Sequence, residues 1–435
     1  MSPRPVIAVA LLVVLATAVA PCERCSSSEN AVQGTVTDQY GRPIASARMI
    51  VGGHAVVSGP DGGFAVGSVR VPYDAIHVGP PVVAYRDLTL SNPTLVVTLP
   101  NDAERWPVPL AGHVSVVSGE HVWLSFIAPG VSAWTMAGDE SGDYRFEFRW
   151  PPDKQSASGT VIAVRVVWTF PEPDVRVPEY KTIATRNAML TPESTTIIDF
   201  APADFEPVRN LPIRGHVVHP ENFRLQSISV YWESANELLP LHTVSSSMRP
   251  LGDDFEFLVP LVESATYQVT VSAFAPGQSG PEGGVSGHNA SVGRLRLPVE
   301  DVEVVLFPGP ELLEPQETAA GVDSSTRFAW TASPGPGIYE LTVESWNLQG
   351  PAFGGRYRYS VYLSDTTATV EDLPAVGIGA LPDETGLIPG EQYFWTVYKL
   401  HSMFGVDEAA SRSMLGKYSW ASASRWILFK VRQRR

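Results

Sequence analysis

Residues 32–47 read Val-Gln-Gly-Thr-Val-Thr-Asp-Gln-Tyr-Gly-Arg-Pro-Ile-Ala-Ser-Ala, and Asp61-Gly62-Gly63-Phe64 follow shortly after. Apolar Val32 and Val36 alternate with polar neighbours, which is typical of a half-buried β-strand. Asp61-Gly62 supplies the positive φ that a tight hairpin needs before Phe64 enters the core. This stretch therefore predicts short strands joined by tight turns.

The same residues resemble the opening of the carboxypeptidase regulatory-like domain, a small transthyretin-like β-sandwich used as an accessory module in secreted and envelope proteins. The resemblance covers residues 31–100, where Leu95-Val-Val-Thr-Leu99 is expected to form the closing strand. It implies a β-sandwich and carries no catalytic residue.

Length and composition extend this interpretation to the whole chain. A chain of 435 residues is too long for one core, and three or four domains are expected. The 38 Pro and 36 Gly predict frequent turns and many short strands. The net charge of -15 argues against a nucleic-acid partner, because no basic stripe is available to neutralise phosphates. We therefore expect an all-β tandem array of about four β-sandwich domains.

The N-terminus has the features of an export signal. Arg4 precedes an apolar run from Val6 to Val19, and Ala16-Thr17-Ala18 forms a small-residue cleavage site. Residues 1–18 are thus interpreted as a signal peptide and residues 19–30 as a polar linker. The run is short for a membrane span, and no later stretch is apolar enough to form one. We expect the mature chain to be exported to the periplasm, the outer membrane or the medium.

The two cysteines lie directly after this signal. Cys22 is a candidate for lipidation, although Pro21 departs from the small residue that lipoprotein signals carry before the cysteine. The alternative is a local Cys22–Cys25 disulfide or a pair of exposed thiols, which an oxidising compartment permits. A zinc site would need further ligands at suitable spacing, and none lies nearby in the sequence.

An internal repeat occupies the middle of the chain. The pattern apolar-x-Gly-x-Val occurs around Gly34, Gly112 and Gly215, and the second and third copies share the tripeptide Gly-His-Val. Each of those two copies is followed by an aromatic strand and a further apolar strand. Residues 106–207 and 208–307 are therefore expected to form two β-sandwich repeats. The recurrence of His113 and His216 at one repeat position suggests a structural position facing a neighbour.

The last domain, residues 312–435, resembles a fibronectin type III-like module. Leu387-Ile-Pro-Gly-Glu-Gln-Tyr393 looks like a tyrosine corner, and Trp330 is expected in the core. The departure from the family pattern is an insertion at residues 400–424, in which Asp407–Arg412 suggest one short helix. Pro308-Gly-Pro310 is interpreted as a joint that isolates this domain from the others, giving an elongated particle.

The sequence contains no recognisable catalytic motif. No His-x-x-Glu pair, His-Glu-x-x-His or Gly-x-Ser-x-Gly occurs. His216 and His219 have i, i+3 spacing, but side chains three apart on a strand point to opposite faces. Asp and Glu in residues 138–143 lack the spacing of a calcium loop and fit a solvated turn better. We expect neither a cofactor nor a metal, and no enzymatic activity.

Exposed aromatic residues are the remaining candidates for binding. Trp123 and Trp134 are candidates for stacking on sugar rings, with partial burial against a neighbouring domain as the alternative.

The leading hypothesis is an exported, non-catalytic protein that acts as a structural, adhesive or interaction spacer of a bacterial cell envelope. Its partner would be a protein or polysaccharide of that envelope. The alternatives are an array of carbohydrate-binding modules and a hydrolase with an unrecognised site.

Overall fold

The computed structural model describes residues 29–432, with gaps at 39–40, 80, 98–106, 129–130, 138–140, 150–155, 173–174, 192–193, 235–236, 248–249, 263–264, 280–284, 318, 320, 324, 346–357, 376–384, 413–420 and 425–426. The described chain is nearly all β and forms several packed sheets, as the composition predicts. The interpretation of residues 1–28 as signal and linker lies outside the described residues.

Three consecutive groups of seven strands, here called modules 1 to 3, make up most of the fold. Module 1 comprises β1 (Glu29–Thr37), β2 (Arg48–Val51), β3 (His54–Val57), β4 (Gly63–Arg70), β5 (Tyr73–His77), β6 (Val82–Leu88) and β7 (Thr94–Val96). Module 2 comprises β8 (Pro107–His113), β9 (His121–Ala128), β10 (Val131–Met136), β11 (Asp143–Arg149), β12 (Ala157–Glu172), β13 (Val175–Leu190) and β14 (Thr196–Ile197). A 3₁₀ turn (Pro202–Asp204) and the short strand β15 (Glu206–Pro207) lead to module 3. Module 3 comprises β16 (Asn210–Val218), β17 (Arg224–Ser234), β18 (Glu237–Ser245), β19 (Asp254–Pro260), β20 (Thr266–Ser279), β21 (Val285–Leu295) and β22 (Val299–Val305).

The three modules share one topology. In each, the first strand lies between the fourth, antiparallel to it, and the seventh, parallel to it, as in the orders β4-β1-β7, β11-β8-β14 and β19-β16-β22. The other strands form a second sheet in the order third, second, fifth, sixth. The weak sequence repeat therefore corresponds to a threefold structural repeat.

The repeated glycine has the same physical role in each module. Gly34 lies opposite Phe64, Gly112 opposite Tyr144, and Gly215 opposite Phe255 across the antiparallel pair. A Cβ atom at Gly34 would lie 2.6 Å from the Phe64 ring, and one at Gly215 would lie 2.7 Å from the Phe255 ring. The aromatic ring fills the space that a side chain would need, so only glycine fits under it.

The last group, module 4, has its own two sheets. It comprises β23 (Leu312–Glu314), β24 (Phe328–Trp330), β25 (Ile338–Ser345), β26 (Arg358–Leu363), β27 (Thr367–Ala368), β28 (Gln392–Leu400), α1 (Val406–Ser411), β29 (Ala421–Ala423) and β30 (Ile427–Lys430). Strands β23, β24 and β27 cover one face of the sheet built on β28, β25 and β26. Trp330 and Tyr393 are 2 % and 0 % exposed, and the Ile388 amide donates to the Tyr393 hydroxyl at 3.1 Å. Both the core tryptophan and the tyrosine corner are confirmed.

Modules 1 and 4 are joined edge to edge, so the expectation of an isolated terminal core is wrong. β26 pairs in parallel with β6, from Tyr359 opposite Val82 to Tyr362 opposite Tyr85. The rings of Tyr85 and Tyr362 stack with centroids 4.9 Å apart. One 13-stranded sheet consequently runs through modules 3, 4 and 1. The predicted boundaries at residues 31–100, 106–207, 208–307 and 312–435 remain predictions.

The insertion at residues 400–424 is the second contact between modules 1 and 4. It contains the expected helix, α1, whose buried Val406, Ala409 and Ala410 join the core of module 1. The Asp407 carboxylate accepts hydrogen bonds from the Thr89 amide at 2.9 Å and from the Thr89 hydroxyl. The insertion therefore packs against module 1 of the same chain.

Candidate functional site

The outer face of the second sheet of module 2 carries the exposed aromatic side chain. Trp134 lies on β10, the edge strand of the order β10-β9-β12-β13-β15, and pairs with Ser125. Its side chain is 59 % exposed, and Met136, two residues on and therefore on the same face, is 50 % exposed. Met136 escaped the sequence analysis because only aromatic side chains were considered as binding candidates.

Trp123 lies on the same face but is packed. It pairs with Met136 across β9 and β10, and its ring contacts Trp168 at 5.6 Å and Tyr180 at 6.1 Å between centroids. It packs against the hydrophobic cluster that forms the core of module 3, and Tyr180 donates to the Leu241 carbonyl of that module at 2.8 Å. This is the partial burial that was weighed as the alternative. Trp134 and Met136 therefore remain exposed on this face, whereas Trp123 is partly buried against module 3.

Cys22 and Cys25, the residues predicted to carry a lipid or a disulfide, lie outside the described residues. Modification of Cys22 or Cys25 stays a prediction.

The repeated histidines lie beside different carboxylates. His113 Nδ1 lies 3.1 Å from Asp143 Oδ1, and His216 Nε2 lies 3.5 Å from a Glu303 oxygen. Both side chains are about half exposed, and each lies beside a carboxylate of its own module. His219 Nε2 lies 3.0 Å from Asp253 Oδ1. His216 and His219 therefore have different carboxylate partners. Among the described residues, no group of three or more His, Cys, Asp or Glu is placed to hold a metal ion.

A buried polar cluster that the sequence analysis missed lies between modules 3 and 4. His401 Nε2 is 2.9 Å from Ser422 Oγ, and Ser422 Oγ donates to the Phe307 carbonyl at 2.7 Å. His288, on β21, lies directly opposite Ser422 on β29. His288 lies more than 100 positions before His401 and Ser422 in the sequence, so no local sequence pattern connects it to them.

The Ser422–His401 contact does not have the properties of a hydrolase dyad. Both residues are 1 % exposed, so no substrate reaches the hydroxyl. The second ring nitrogen, Nδ1, faces the Pro336 carbonyl at 3.1 Å, a neutral backbone acceptor. A nucleophile must be accessible, and the pair therefore acts in packing.

Within the described part of the chain we find no helix whose length and hydropathy suit a membrane crossing.

Comparison with known proteins shows no family for this chain. No protein-family model and no curated protein matches it. Similar solved structures include the Bacillus anthracis TIE protein at 10% identity and the chicken CNTN1 FN1-FN3 domains at 12%. They cover 64% and 75% of this chain, with TM-scores of 0.15 and 0.17. The Streptococcal ancillary pilin is 11% identical and covers 65% of this chain and all of its own, with a TM-score of 0.15.

This chain spans half of the TIE protein and 99% of the CNTN1 fragment. At these TM-scores the likenesses carry no argument about function. The topology and contacts of the chain itself are what bear on it.

Proposed function

We propose that this chain is an exported, non-catalytic scaffold of a bacterial envelope, in which module 4 clamps modules 1 and 3 and leaves one face of module 2 open for a partner. The observation that carries the proposal is the continuous sheet through modules 3, 4 and 1. Such pairing fixes the orientation of the modules through main-chain hydrogen bonds and buried side chains rather than through flexible linkers.

The clamp is also electrostatic. Arg86 of β6 forms two hydrogen bonds of 2.8 Å to the Asp372 carboxylate of module 4. Burial would raise the pKa of Asp372, but the Arg86 guanidinium lowers it overall below its usual value. A bidentate pair of this kind adds geometric specificity to the strand pairing.

The open surface is the Trp134–Met136 face of β10. An exposed tryptophan beside an exposed methionine on an edge strand has the composition of a contact surface, in which large adaptable side chains dominate. This supports an adhesive or interaction role for module 2.

The test is retention of the purified chain on isolated envelopes of the organism that makes it. We expect retention to fall at least tenfold in Trp134→Ala. The matched control is Ile197→Ala, because Ile197 is 62 % exposed in the same module but on the other sheet. Equal retention of wild type and Trp134→Ala would remove this surface from the proposal.

Carbohydrate binding is the second candidate, and the exposed ring of Trp134 is the observation that favours it. Here a soluble polysaccharide from the envelope would compete for retention and quench tryptophan fluorescence, whereas protease treatment of the envelopes would leave retention unchanged. The reverse result assigns the partner as a protein.

A further inference from the structure

Two histidines are buried where modules 3 and 4 meet. His288 lies on β21 and His401 directly after β28, and they are 0 % and 1 % exposed. In the described residues β21 and β29 pair at only two positions, His288 with Ser422 and Asn289 with Ala421. The histidines therefore lie at a short strand pairing, here called the seam.

Both rings have uncharged hydrogen-bond partners. The Pro336 carbonyl can only accept, so the hydrogen of a neutral His401 ring lies on Nδ1. The single hydrogen of the Ser422 hydroxyl then lies between two acceptors, His401 Nε2 at 2.9 Å and the Phe307 carbonyl at 2.7 Å. The His288 ring packs on Phe223 at 4.2 Å and hydrogen bonds to the backbone of Phe307. The Phe307 ring packs on His401 at 4.8 Å. Phe307, in the connection between the modules, is thus held by both histidines.

The surroundings disfavour a charge on either ring. Burial, together with the neighbouring His401 and against the hydrogen bond to Phe307, lowers the pKa of His288 to about 4. Burial likewise lowers the pKa of His401 to about 4, together with the charge of Lys399 and against the bond to Pro336. Lys399 is itself buried, donates to the Gly337 carbonyl at 2.7 Å and lies 4.1 Å over the Tyr339 ring.

The sign of the pH effect follows from linkage. A histidine released to water regains a pKa near 6.5, so the open state binds more protons than the closed state between about pH 6.5 and pH 4. The closed seam is therefore fully stabilised above that window and loses stability as the pH falls through it.

We propose that His288 and His401 form an acid-sensitive latch that holds modules 3 and 4 together at neutral pH and opens the seam in mild acid. Opening exposes the β21 edge and frees Phe307. In an exported scaffold the latch would couple module arrangement to external pH, a property beyond the scaffold role itself.

Hydrogen exchange of the full chain, at pH 7 and pH 4.5 and corrected for intrinsic rates, tests the latch. We expect protection in Val285–Leu295 and Ala421–Ala423 to fall at least tenfold more than protection in β1 and β4. The double variant His288→Gln/His401→Gln, which cannot gain these charges, should lose this difference. The matched control His113→Gln/His216→Gln changes two exposed histidines and should retain it.

Three results would overturn the proposal. They are equal protection at both pH values, a parallel loss in every module, and a pH response that survives in the double variant. If the double variant does not fold, NMR titration of the wild-type histidines decides. Two depressed titrations that coincide with seam opening support the latch, and titration of all histidines near 6.5 contradicts it.

Discussion

At the scale of single residues, the glycine of the repeat explains why three modules of low sequence similarity keep one topology. Gly112 brings the Tyr144 hydroxyl to within 2.9 Å of where a Cβ would lie, and that hydroxyl donates to the Ile198 carbonyl on the parallel side. Gly34 and Gly215 place Phe64 and Phe255 in the same position. The ring over the glycine therefore sets the register of the central strand.

Gly215→Ala should destabilise module 3. The new methyl group would collide with the Val302 carbonyl oxygen and the Phe255 ring, and overpacking of this kind costs about 1–3 kcal/mol. Chemical denaturation measures the change, with Gly252→Ala as the matched control because nothing lies within 4 Å of its Cβ position. A stability loss as small as that of the control would mean that the glycine is not required.

Tyr393→Phe should destabilise module 4. The phenylalanine ring still fills the core, but the Ile388 amide loses its acceptor, which costs roughly 1–3 kcal/mol. Thermal unfolding followed by near-UV circular dichroism is the measurement. Tyr398→Phe is the comparison. Burial raises the pKa of the Tyr398 hydroxyl, but this residue is not part of the tyrosine corner. An unchanged midpoint for Tyr393→Phe would contradict the tyrosine corner.

At the scale of elements, the sixth strand of each module has its outer edge paired with a strand from outside that module's seven. β6 is paired by β26, β13 by β15 and β21 by β29. The third strands β3, β10 and β18 end their sheets in the described structure. Exposed sheet edges attract other strands, so covering one edge per module limits where partners can add. The partner surface proposed on β10 lies at one of the edges left open.

Sequence patterns predicted the local features and missed the long-range pairings. The positive φ of Gly62, the buried Phe64 and the helix α1 all follow from short-range chemistry and are confirmed. In β25, Glu340 and Thr342 alternate with apolar residues, a pattern typical of a solvent-facing side. Yet they are 0 % and 2 % exposed. Residues that lie far away in the sequence cover that face, and the periodicity of β25 carries no information about them.

Asp407→Ala should loosen α1 from module 1. The variant removes the acceptor for the Thr89 amide and hydroxyl, and hydrogen bonds to a charged group contribute about 1.5–3 kcal/mol, less for a partly exposed one. Limited proteolysis should cut near Val406–Ser411 faster than in wild type. The control is Glu317→Ala, an exposed acid of the same module. Equal cleavage rates would show that the contact does not hold the helix.

At the scale of the whole molecule, modules 1 and 4 share both faces of one sheet. Ile76, Val82 and Ala84 of module 1 belong to the core beneath Trp330 and Trp395. Conversely, Ile338, Tyr362 and Met403 of module 4 belong to the core of module 1. Neither core is complete without the other module, so the two are expected to unfold as one cooperative unit.

Trp330→Ala tests this coupling in the full chain. Deleting the ring leaves a cavity that costs about 3–5 kcal/mol. Because the cores are shared, we expect hydrogen exchange to accelerate equally in β25 of module 4 and in β2 and β5 of module 1. Phe257→Ala, a buried aromatic of module 3, is the control and should accelerate exchange in β16 and β20 more than in module 1. If Trp330→Ala accelerated exchange only in β23 to β30, module 4 would unfold independently, and the clamp would be a surface contact rather than a common core.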